Sequence, residues 1–143
     1  MKKAADVLRE LDIEFSSRVV SAHRSPELLE TTIAEIEQDG TEVIIAGAGL
    51  AAHLPGVIAS KTLLPVIGVP IASGALNGID ALFSIVQMPK SVPVATVGVD
   101  NAANAAYLAA EILGVKYPEL KKKLENLRTK MKEDLAKNSV TDL

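Results

Sequence analysis

Hydrophobic and polar positions switch between two periods along the chain, and the switches mark its elements. Ala4, Val7, Leu8 and Leu11 recur at helical spacing, so the sequence opens in an amphipathic helix. Residues 14–20 become β-branched toward their end and read as a first strand. Ser25-Pro26 signals a helix start, with Pro26 at the first position and Leu28, Leu29, Ile33 and Ile36 on one face. Gly40 ends it. Val43-Ile44-Ile45-Ala46 is wholly apolar, the pattern of a strand buried on both faces. A helix over 51–61, interrupted at Pro55-Gly56, leads to a third strand at Val66-Ile67-Gly68-Val69. A helix over 78–86 precedes a fourth strand at Val94-Ala95-Thr96-Val97. An Ala-rich helix follows over 102–113, and a Lys- and Glu-rich helix over 118–137 closes the chain.

Strands alternating with helices imply βαβ units, a parallel sheet and an α/β fold. Right-handed crossovers make it a three-layer αβα sandwich, here one domain spanning 1–143. In such folds ligands bind at the carboxyl ends of the strands, so the segments after each strand carry the information.

Composition narrows the function. The chain has 143 residues, a net charge of −3, no Cys, no Trp and two His. A mildly acidic surface with few aromatics argues against nucleic acid as a partner. No apolar run is long enough to cross a membrane. The charged N-terminal helix lacks a signal-peptide core, so the expected location is cytoplasmic. Thiolate chemistry is excluded, and the two His are too far apart in sequence for the usual helical metal spacing.

Ser21-Ala22-His23-Arg24-Ser25-Pro26 follows the first strand. It sets a hydroxyl, an imidazole and a guanidinium beside a helix N-terminus. The guanidinium and helix end suit an anion, and imidazole exchanges protons near neutrality. Equally, Ser25 caps the helix and Arg24 is simply solvated. After the second strand, Ala46-Gly47-Ala48-Gly49-Leu50-Ala51-Ala52-His53-Leu54-Pro55-Gly56 lets a ligand approach the main chain closely. It is neither a P-loop nor a dinucleotide fingerprint, and a glycine turn is common in any such sheet. Residues 70–78 are small and polar and form either a closing loop or a surface turn. Gly98-Val99-Asp100-Asn101 follows the fourth strand, and Lys121-Lys122-Lys123 reads as a solvated helix face. Leu120, Leu124, Leu127 and Met131 form a stripe that docks on a neighbour or on its own subunit.

With Ser84-Ile85-Val86-Gln87-Met88-Pro89, the first two motifs occur in the order and spacing of one family. The chain resembles the PurE family of de novo purine synthesis over essentially its whole length. The resemblance implies a flavodoxin-like fold, a homo-octamer, a small ribonucleotide substrate and no cofactor. It implies conversion of N5-carboxyaminoimidazole ribonucleotide to 4-carboxy-5-aminoimidazole ribonucleotide, with aminoimidazole ribonucleotide carboxylation as the alternative. His23 would be catalytic. Arg24 would hold the phosphate, with Ser21, Ala22, Gly47, Ala48, Gly49, His53 and Leu54 around the substrate in a water-poor pocket. Two departures stand out. Leu50 occupies a position that is Gly in the family pattern, so an altered backbone angle or a narrower pocket is expected there. The strand and Gly-Ser-x-Ser-Asp loop that open the family pattern are not in this sequence. Without that strand the first and second strands either close a gap or leave ladder groups unpaired, and the chain is expected to be impaired in activity or to be a non-catalytic nucleotide-binding module.

Overall fold

A computed structural model describes residues 1–139, so the last four residues of the expected domain lie outside it. Helix α1 spans Lys2–Glu10 and α2 spans Pro26–Gln38, with Pro26 in its first turn as the sequence signals. Strand β1 (Ile44–Gly49) is followed by α3 (Leu54–Ala59), β2 (Val66–Ile71), α4 (Ile79–Val86) and β3 (Ala95–Thr96). Helices α5 (Ala102–Gly114) and α6 (Pro118–Lys137) complete the described chain.

The three strands form a parallel sheet in the order β1-β2-β3. Ile44 aligns with Val66 and Ile67 with Ala95. Strand residues alternate between faces, and the two sides of the sheet bury different helices. Ile67 and Val69 pack with α1, α5 and α6. Ile44, Ala46 and Val66 pack with α2 and α3. This is the expected αβα layering, and β2, central and covered on both faces, is buried along nearly its whole length. At Gly68 the absent side chain matters: a Cβ there would lie 2.4 Å from Cγ2 of the fully buried Ile85 on α4.

The strand expected at 14–20 does not form; that segment is irregular and mostly exposed, with Val19 98% accessible. A strand needs a ladder partner, and none of the described residues pairs with it. A cleft of about 880 Å³ separates the segment from the free edge of β1, between α1 and α2. Of the two expected outcomes, the gap stays open and is not closed by the neighbouring segments. The fourth expected strand is only two residues long. Helix α3 starts three residues later than expected, and Pro55 belongs to its first turn instead of interrupting it.

Helix α6 divides the apolar stripe. Leu120 and Leu124 are buried against the chain's own α1 and α5, whereas Met131 is exposed. Lys123 is not merely solvated: its Nζ donates to the Leu11 carbonyl (2.9 Å) and to Asp12 Oδ2 (3.0 Å), satisfying the end of α1.

Candidate functional site

The connections leaving the sheet's carboxyl ends, together with the turn before α2, join in a chain of contacts. Residues 22–24 form a turn ahead of α2, held by the Ser25 N–H on the Ser21 carbonyl at 3.0 Å. The Ser21 hydroxyl oxygen accepts from both the backbone N–H and Nε of Arg24, each at 3.3 Å. Those bonds aim the guanidinium, and among the described residues no carboxylate pairs with it. Ser25 stands at the N-cap of α2 but makes no side-chain capping bond, so the first amides of that helix keep their donors for another acceptor.

The turn presents His23 to His53, which sits at the start of α3. Nε2 of His23 and Nδ1 of His53 are 2.6 Å apart, with the rings edge to face and their centroids 4.6 Å apart. One nitrogen must donate and the other must offer a lone pair. The contact therefore suits a proton shared between rings and is lost when both are cationic. His23, Arg24 and His53 are all exposed. The single chain therefore does not provide the water-poor pocket expected around them.

Behind His53, β1 ends in the glycine segment. A Cβ on Gly49 would lie 2.6 Å from Ser73 Oγ, which shows how closely the loop after β2 approaches. A Cβ on Gly47 would meet Met1 Sδ at 2.7 Å. Leu50 takes φ +57°, the left-handed region that glycine fills without strain. Leu50 thus carries a backbone conformation that suits glycine better than leucine. Ala22 and Ala48 are half-buried behind these groups, and Leu54 is half-buried at the start of α3.

Two contributors were not singled out from sequence. Ser73 covers Gly49. Asp100, itself at φ +56°, accepts the Ala72 N–H at Oδ1 (2.9 Å) and ties the loop after β2 to the loop after β3. The cue for Asp100 was its place after a strand and before Asn101, whose side chain caps α5. Of the 84–89 motif, Gln87 ends α4, and Met88 packs at the place a Gly56 side chain would occupy. Among the described residues no cluster of three or more His, Cys, Asp or Glu is arranged for a metal.

The chain is an open parallel α/β protein in which the segments after β1 and β2 meet the turn before α2. Residues 1–134 match the profile of the AIR carboxylase family, and the chain belongs to that family. It is 60% identical over 132 residues to the N5-carboxyaminoimidazole ribonucleotide mutase of Pyrococcus abyssi, covering 92% of this chain and 76% of that protein. It is 55% identical over 135 residues to the mutase of Thermotoga maritima, covering 94% and 79%. The crystal structure of Treponema denticola PurE superposes with a TM-score of 0.80 at 29% identity, covering 95% of this chain and 87% of that one.

Proposed function

We propose that this protein is an N5-carboxyaminoimidazole ribonucleotide mutase of de novo purine biosynthesis. The observation that carries the reading is the 2.6 Å contact of His23 with His53 beside the Ser21–Arg24 pair, in a chain 60% identical to a protein of that name. The carboxylate on the exocyclic nitrogen leaves as CO2. The electrons of the broken C–N bond stay on nitrogen, which takes a proton from His23. Ring carbon C4 then attacks the CO2, and the C4 proton returns to His23. His53 holds the second ring nitrogen in the pair and orients His23. Arg24 and the amides of α2 take the phosphate. The main chain at Gly47, Ala48 and Gly49 faces the imidazole, with Ala22 and Leu54 behind it. The reaction as written takes no cofactor.

CO2 must be held until C4 attacks, and the exposed histidines of one chain favour a site closed by neighbouring copies. Helix α4 supports this, with Ile79, Phe83 and Val86 along one exposed stripe. So do Met131 and Leu135 at the far end of α6. We assign the assembly as a homo-octamer on the family resemblance, acting in the cytoplasm on a small ribonucleotide. No helix among the described residues is long and apolar enough to span a membrane.

The test is turnover of N5-carboxyaminoimidazole ribonucleotide by the full chain and by His23→Asn. Loss of about a hundredfold or more in His23→Asn, with substrate still bound, is expected; equal turnover refutes the role of His23. The matched profile describes a carboxylase, which favours direct carboxylation as the second reading. Turnover of aminoimidazole ribonucleotide with bicarbonate alone establishes it. Binding of either ribonucleotide without turnover establishes a non-catalytic module.

A further inference from the structure

Leu50 occupies a turn whose two ends are fixed. Gly49 before it is held in register with Ile71 on β2, and Ala52 after it is buried with Ala81 and Ile85 of α4. Between these anchors Leu50 takes φ +57°, and the His53 N–H bonds to the Ala51 carbonyl at 2.8 Å. A leucine in that region is strained, and such strain persists where the surroundings over-determine it. The fixed backbone lays the side chain on the loop after β2: a Cβ built on Gly74 would lie 2.7 Å from Leu50 Cδ2. Gly74 has φ +65°, so glycine there both permits the turn and leaves the space that the leucine methyl fills.

That loop is tied down at its base. Ala72 donates its N–H to Asp100 Oδ1 at 2.9 Å. Gly78 lies so close to the loop after β3 that a Cβ on it would meet Val99 Cγ1 at 2.7 Å. The middle of the loop meets the glycine segment at two places, Ser73 over Gly49 and Gly74 against Leu50. Residues 74–77 are exposed.

We propose that Leu50 is a positioning residue that clasps residues 72–78 against the end of β1, and that the clasped loop keeps CO2 beside the ring until C4 attacks it. The clasp stands on the contact alone, whereas the CO2 role rests on the mutase reading. Once the C–N bond has broken, CO2 has two fates. It forms the C–C bond at C4, with the C4 proton passing to His23, or it leaves and aminoimidazole ribonucleotide is released uncarboxylated. A loop that opens more often favours the second fate. Leu50 is 54% exposed, and burial of the remainder of a leucine side chain corresponds to about a three- to tenfold change in loop opening.

The test compares the full chain with Leu50→Gly, Leu50→Ala and Leu50→Met. Elastase cleavage after Ala72 or Ala75, located by mass spectrometry, reports opening of the loop. Cleavage should run about three- to tenfold faster in Leu50→Gly and Leu50→Ala. It should stay near the wild-type rate in Leu50→Met, which keeps a terminal methyl. Leu50→Gly should show this although it relieves the turn and raises Tm, so a general loss of stability does not account for it. With N5-carboxyaminoimidazole ribonucleotide as substrate, the second readout is aminoimidazole ribonucleotide released per carboxylated product, corrected for loss without enzyme. That ratio should rise by the same factor in the glycine and alanine variants and return to the wild-type value with methionine. Equal cleavage of wild type and both truncated variants overturns the clasp. Faster cleavage with an unchanged release ratio overturns the CO2 role. A wild type that turns over none of the substrate removes the mutase reading and the CO2 role with it, while the cleavage rates still decide the clasp.

Discussion

Gly68 sets how closely α4 lies on β2, and through α4 the height of the loop that covers Gly49. A Cβ at this position would sit 2.4 Å from Ile85 Cγ2 and 3.0 Å from Val94 Cγ1. Ordinary contact between carbons begins near 3.5 Å, so Gly68→Ala pushes α4 outward by about 1 Å. Ile85 has no accessible surface and no open space to turn into. Overpacking of this kind costs about 1–3 kcal/mol. Ile85→Ala alone removes three buried carbons and leaves a cavity, at about 2–5 kcal/mol. In the double variant the new methyl enters the space that Ile85 vacates. The two costs should then fall short of their sum by about 1–2 kcal/mol. Urea unfolding of the four proteins, followed by far-UV circular dichroism at constant slope, measures the coupling. Simple additivity refutes the close approach of α4 to β2 as the reason for glycine.

Three further outcomes follow from the site and its supports. Leu50→Gly relieves a left-handed leucine whose side chain is 54% exposed. It should stabilise the chain by about 1 kcal/mol, read as a rise in Tm of about 4 °C; a fall refutes strain at this turn. Asp100→Ala removes the acceptor for the Ala72 N–H. It should cost about 1–2 kcal/mol and speed amide exchange across residues 72–78, and unchanged exchange there counts against the latch. Glu42 accepts from Lys116 Nζ at 2.6 Å and from the Tyr117 hydroxyl at 2.7 Å, and these bonds hold its carboxyl below the usual range. A depressed folded-state value gives stability that is full above the ordinary carboxylate range and is lost as pH falls through the folded value. The urea midpoint of the wild type should therefore exceed that of Glu42→Gln at pH 7, and the gap should close with acidification; a gap constant in pH refutes the pairing.

Elements whose own residues decide their structure were legible. Pro118 starts α6 and Lys137 ends it, as proline in the first turn and a continuous Lys–Glu surface indicate. The wholly apolar runs at Ile44 and Val66 are strands because burial on both faces demands that composition. Residues 14–20 were misread because strand formation depends on a ladder partner, which residue identity does not reveal. The start of α3 was misplaced for a local reason. Leu50 in the left-handed region and the His53 N–H on the Ala51 carbonyl (2.8 Å) bend the chain where alanines suggested helix. His23 and His53 each stood out from sequence, but their contact bridges 30 residues, and only the fold brings them together.

That contact shows how much the site depends on the sheet beside it. His53 hangs from β1, whose register with β2 is fixed from Ile44 to Gly49. His23 follows 14–20, which has no ladder, and is held by the start of α2 and the packing of Val20 and Ala22 against Leu29 and Ile33. The two halves of the histidine pair thus stand on opposite banks of one cleft, which Val20 lines on one side and Gly47 on the other. The separation of the two banks is held by side-chain packing, which yields more readily than a hydrogen-bonded ladder. A hydrogen bond between the rings tolerates little variation in distance. The sheet edge at β1 and the reach of His23 are therefore one structural question.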